Sequence, residues 1–178
     1  MFGFFGLTLL LQTTPPATVT DSSYRVVQPF LKDIPPQVFI FKPGAGPYDR
    51  VALEFDELVK FMAENRMPGQ LAAVFYDDPT RVPAESLRWE VGVITNQPPI
   101  WTEPYTQKII SGRRAASFIV DGVPGRNHSR YAAMQTFIRQ RRYIFKPPAM
   151  EILLQPAKED ALAKTEILLP VQLKRRVK

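Results

Sequence analysis

The chain has 178 residues, 45% hydrophobic and 22% charged, the make-up of one ordinary globular domain. It has no cysteine and one histidine, His128, which excludes disulfides, thiolate nucleophiles, thiolate metal centres and any site needing several imidazoles. The net charge of +6 is uneven: six bases face nine acids between positions 37 and 95, and nine bases face one acid, Asp121, between 108 and 146.

Residues 1–11 are apolar throughout, with Phe2, Phe4, Phe5, Leu7, Leu9, Leu10 and Leu11. The segment is too short to span a bilayer, which takes about 20 residues. It also lacks the basic start of a secretory signal. An apolar terminus is ordered only when something covers it. Membrane lipid, or a groove on a membrane-protein complex, is therefore its expected partner. Residues 12–23 are Thr/Pro-rich and read as an extended tether. The composition favours a peripheral membrane protein on the extracytoplasmic, periplasmic side.

From Tyr24 the periodicity changes. Tyr24 to Lys32 and Val38 to Lys42 read as strands separated by Pro35-Pro36. A Gly/Pro turn, Gly44 to Pro47, leads into a helix from about Asp49 to Asn65, with Val51, Phe55, Leu58 and Met62 on one face. Asp49 is its expected N-cap. Met67-Pro68-Gly69 ends it, and strands follow at Leu71 to Tyr76 and Leu87 to Ile94. A Pro-rich crossover carries Trp101 and Tyr105. Then the pattern returns: strands at Lys108 to Ser111 and Ala115 to Val120, a helix capped by Ser129 and running to about Arg142, and strands at Met150 to Leu154 and Thr165 to Leu173, the last interrupted by Pro170.

Two halves, about 24–96 and 106–173, thus repeat at roughly the 75-residue scale. A basic tail at 174–178 follows. The expected class is α+β, with tandem strand-helix-strand-strand repeats, an antiparallel sheet with two helices on one face, and a central cleft. The cleft is the default ligand site.

Gly46-Pro47-Tyr48, Phe75-Tyr76-Asp77-Asp78-Pro79, the strand from Leu87 to Val93, Met150-Glu151-Ile152 and Thr165 to Val171 together resemble the GyrI-like family of small-molecule-binding, or effector-binding, domains. The resemblance runs from about Tyr24 to Leu173. It implies a pseudo-two-fold pair of units around a ligand cleft, with a buried glutamate facing aromatic walls. Thr165-Glu166-Ile167 matches that glutamate, and Glu151 matches a second. Some members resemble hydrolases of electrophilic natural products. The second half departs from the pattern: Val123-Pro124-Gly125-Arg126 replaces Gly-Pro-Tyr, and Leu153, Leu168 and Phe137 stand where aromatics are usual. A cleft poorer in stacking surface is expected.

The candidate ligand residues are therefore Glu166, Glu151, Trp89 and Tyr48. A carboxylate within an apolar strand pairs a cation, serves as a base, or is a structural group held by an Arg or Tyr. Core packing is the competing role for the two aromatics. Glu90 is expected on a solvated face, and His128 at the surface. Arg126, Arg130, Arg139, Arg141 and Arg142 form a basic patch suited to an acidic protein surface or anionic lipid. Without interleaved aromatics, nucleic acid ranks below these. No cofactor or metal set and no nucleophile–base pair is visible. The favoured reading is a membrane-tethered accessory subunit using the domain as a scaffold, without catalysis. The alternative is a binder of a small apolar or cationic ligand, or a hydrolase with Glu166 in the cleft.

Overall fold

The computed structural model describes residues 28–95, 103–157 and 162–175. The expected anchor, the tether and most of the crossover, Trp101 included, lie outside these residues. Among the described residues no helix is long and apolar enough to cross a membrane.

The first half contributes β1 (Phe30–Ile34), β2 (Gln37–Ala45), α1 (Val51–Glu64), β3 (Gln70–Phe75) and β4 (Arg88–Thr95). The second contributes β5 (Thr106–Ile110), β6 (Arg113–Asp121), α2 (His128–Gln140), β7 (Tyr143–Phe145), β8 (Ala149–Gln155) and β9 (Lys164–Leu173). The strands pair antiparallel in the order β1-β6-β9-β8-β3-β4-β2-β5, and β7 pairs with β9. The α+β repeat is as the sequence implies, with one short strand, β7, that periodicity did not reveal.

β1 and β5 are the two ends of this order, and β2 lies beside β5, yet only Pro35 and Pro36 separate β2 from β1 in the chain. The sheet resolves this by curling. Ile34 faces Arg113 and Gln37 faces Ile110, so the register of the β1–β6 ladder continues unbroken into β2–β5. The two prolines remove backbone donors at the corner. Opposite them, a Cβ on Gly112 would lie 3.1 Å from Pro36 Cδ, so glycine lets the two corners pack closely. Each half thereby lends its first strand to the other.

The repeat is regular along the chain. The step from Lys32 to Lys108 also takes Glu90 to Glu166, Gly46 to Gly122 and Arg66 to Arg142. Its contacts repeat too. Gly46 N–H donates to Leu87 C=O at 2.8 Å, and Gly122 N–H to Ala163 C=O at 2.7 Å. Both helices end at an arginine in the left-handed region, Arg66 with φ 48° and Arg142 with φ 61°. Lys32 ion-pairs with Glu166, and Lys108 with Glu90, so each swapped strand is also tied by charge to the opposite half. Glu90 is therefore buried, not solvated: β4 is central, and both of its faces are covered.

Two apolar clusters flank the sheet. Beneath the helices lie Val51, Phe55, Leu58, Met134 and Ile138, with Val91, Ile167 and Leu169 from the strands. The curl closes the other face over Ile34, Phe39, Val74, Ile110, Met150 and Leu168. α1 is entered through a 3-10 turn, Tyr48–Arg50, and Asp49 makes no side-chain cap bond. α2 starts at His128 rather than after Ser129, and its N-cap, Asn127, spends its amide on Val123 C=O and Glu151. β9 runs through Pro170 without interruption. The Pro170 carbonyl accepts from Lys146 N–H at 2.8 Å, and its nitrogen faces the same side, at the junction of β8 and β7, where no ladder donor is required.

Candidate ligand pocket

A pocket of about 500 Å³ opens where the halves meet, beside the central β3–β8 pair. β3 brings Phe75 and the following Tyr76. β8 brings Glu151, whose strand neighbours are Ala73 on β3 and Ile167 on β9. The α2 start supplies His128 and Tyr131, the turn before α1 supplies Tyr48, and Phe145 closes one side.

Alternation decides which carboxylate enters. Glu151 shares the helix-side face with Ile167 of the first cluster, while Ile152 and Glu166 stand opposite each other on the far face. Glu151 is 2% exposed. It accepts from Gly125 N–H at 3.0 Å, the Asn127 amide at 2.9 Å and the Tyr131 hydroxyl at 2.8 Å. Burial raises its pKa, and these three donors, with the charge of nearby His128, pull it back only in part. It forms no ion pair among the described residues. Gly125 must be glycine here: its φ is 86°, and a Cβ would fall 2.2 Å from Tyr48 C=O.

Three other polar groups of the wall, Asp77, Asp78 and Tyr48, are already committed. Asp77 takes a forked contact from the Arg88 guanidinium, at 3.0 and 2.7 Å, which holds its carboxyl below the usual range. Asp78 accepts from Thr80 N–H and hydroxyl, which lowers its pKa likewise. The Tyr48 hydroxyl donates to Asp77 C=O at 2.7 Å and accepts from Asp77 N–H at 3.1 Å. Burial pushes its pKa up to about 12, so it stays a neutral wall. Its ring meets Phe75 edge-on, centroids 4.7 Å apart.

The sequence candidates thus separate. Glu151 and Tyr48 line the pocket. Trp89 lies behind it in the core, its indole N–H donating to Gly46 C=O at 3.2 Å and its ring filling the space left by Gly44. Glu166 is on the other face, held by Ser117 Oγ and Lys32. Leu168 packs in the far-side cluster, while Leu153 and Phe137 pack beneath the helices. None of the three lines the pocket, and Tyr48, Phe75, Tyr76, Tyr131 and Phe145 supply the aromatic surface instead. The expected loss of stacking surface is corrected accordingly. His128 is exposed, as expected, but it is the first residue of α2 rather than a residue before the helix, and it stands at the pocket mouth near Glu151, a neighbour that was not legible. Arg126, Arg130, Arg139, Arg141 and Arg142 are all exposed, outside the pocket. No group of three potential metal ligands occurs among the described residues.

A model of the GyrI-like family, described as a GyrI-like small molecule binding domain, matches residues 28–172. No curated protein matches the chain significantly. Among solved structures, the chain is similar to EcmrR in an EcmrR–DNA complex, at 18% identity and a TM-score of 0.66, over 83% of this chain and 58% of that one. It thus spans little more than half of that EcmrR chain. It is similar to a hydrolase encoded by lin2189 from Listeria innocua, at 14% identity and a TM-score of 0.57, over 82% of this chain and 92% of that one. It is also similar to SAV2435 bound to tetraphenylphosphonium, at 13% identity and a TM-score of 0.54, over 82% and 94%. At these identities the likeness is one of fold.

Proposed function

This chain belongs to the GyrI-like family of small-molecule-binding domains, and from that premise we propose that it binds a hydrophobic organic cation between its halves, with Glu151 as the counter-charge. One observation carries the reading: Glu151 is a buried carboxylate hydrogen-bonded by neutral donors, with no ion pair among the described residues. A charge held this way is costly, and a bound cation offsets that cost. The walls are aromatic, which suits a delocalised cation with flat faces. The molecule in SAV2435, tetraphenylphosphonium, is of that type.

The scaffold reading rests on residues 1–23 and on charge asymmetry, and neither the family nor the pocket supports it. Both support the small-molecule alternative. The glutamate we assign is Glu151 rather than Glu166, because only Glu151 shares the pocket's side of the sheet.

Titration calorimetry with tetraphenylphosphonium tests this. Glu151→Gln keeps an acceptor for Gly125 and Asn127 and removes the charge, and should weaken binding by about thirtyfold, from loss of about 2 kcal/mol of charge pairing. Glu166→Gln should leave affinity unchanged. Equal affinity in the native protein and Glu151→Gln, or dependence on Glu166 instead, refutes the assignment.

A further inference from the structure

A second pocket, of about 330 Å³, lies on the face of the sheet turned away from the helices. It is separate from the first but shares a wall with it: Tyr76 borders both, and Pro147 lines one while Pro148 lines the other. Its floor is apolar, from Val74, Ile110 and Pro148, and its rim carries the Lys108 ammonium and the Arg113 guanidinium.

The charges on this face are paired, with one exception. Lys32 has Glu166, and Lys108 has Glu90 and the Tyr76 hydroxyl, the latter at 2.8 Å. Arg113 opens β6 opposite Ile34, and strand alternation turns it to the same inward face as Ala115 and Ser117. It is partly buried, yet its side chain has no hydrogen bond or ion pair among the described residues. Burial lowers its pKa, and no carboxylate restores it. Guanidinium at a site like this carries five directed donors, two of which match the spacing of a carboxylate. Since Glu90 already balances Lys108, the pocket has room for one more negative charge.

We propose that this pocket binds an amphipathic monocarboxylate. Its carboxylate is forked by Arg113, with Lys108 close by, and its apolar body lies on Val74, Ile110 and Pro148. The chemistry is that of an aromatic or branched aliphatic acid, not of inorganic phosphate, because the floor offers no donors to further oxygens.

The test is titration calorimetry of the full chain with sodium benzoate, benzamide and inorganic phosphate. Benzoate should bind, and its neutral isostere benzamide should bind about tenfold more weakly or worse, as should phosphate. Arg113→Gln should weaken benzoate by about tenfold or more, and Arg113→Lys by less, since it keeps charge without the fork. Ser111 is exposed at the rim, so Ser111→Glu should repel benzoate without touching the core, while Ser111→Gln should not. Urea midpoints without ligand check folding. If Arg113→Gln does not fold, the Ser111 pair and the benzamide comparison decide. Absence of benzoate binding, equal affinity for benzoate and benzamide, native affinity in a folded Arg113→Gln, or tighter binding of phosphate than of benzoate each overturns the proposal.

Discussion

Glu151 keeps its place by three hydrogen bonds from neutral donors, and burial still holds its pKa above the ordinary carboxylate value. Two opposite pH dependences result. The folded protein holds this proton more tightly than the unfolded chain does. Its contribution to stability is therefore fully present below the unfolded pKa and is lost as pH rises through the higher folded value. Cation binding needs the ionised form, so affinity for tetraphenylphosphonium should fall as pH drops below that same folded value. Glu151→Gln should abolish this pH dependence of affinity and flatten the stability profile over the same window, as read by calorimetry and by urea titration at successive pH values. A native affinity that is constant across the acid range would contradict the assignment. The residue types of this site were legible in the sequence; their facing was not. Glu151 and Glu166 both sit in apolar strands of similar composition. Which one faces the helices depends on registers with β3, β6 and β9, and cross-strand pairing is not encoded locally.

The helices illustrate what periodicity carries and what it omits. Val51, Phe55 and Leu58 form the buried stripe of α1, as their spacing implies, and Met134 and Ile138 do the same for α2. The starts were misplaced because α1 is entered through a 3-10 turn and because Asn127 serves Glu151 rather than the α2 backbone. The ends hold unused stability. Arg66 and Arg142 occupy left-handed conformations that cost a side-chain-bearing residue about 1 kcal/mol. Arg66→Gly and Arg142→Gly should each stabilise the fold by about 0.5–1 kcal/mol, and by similar amounts, since the two sites are related by the repeat. Urea midpoints would measure it. A loss in either variant would show that the arginine side chain stabilises the protein by more than its backbone costs.

Across the molecule the repeat is close but is broken at the pocket. The step that takes Lys32 to Lys108 takes Phe75 to Glu151, Tyr48 to Pro124 and Phe55 to Tyr131, so both halves supply aromatic walls but only the second supplies the buried Glu151 carboxylate. The duplication, the four strands of the first half and the two helices on one side were readable from hydrophobic pattern, while the fifth strand of the second half, β7, was not. The exchange of leading strands was not, because Pro35-Pro36 looks like a break in any local reading, and only the continuous register across it shows a shared ladder. That exchange bears on how the chain can be divided. Cut between positions 99 and 100, the polypeptide yields two fragments, each carrying an edge strand whose only ladder partner among the described residues is in the other. Each alone should show little ordered structure by circular dichroism and no cooperative urea transition. Mixed at equal molarity, they should reassociate with second-order kinetics into a stoichiometric heterodimer that regains tetraphenylphosphonium binding.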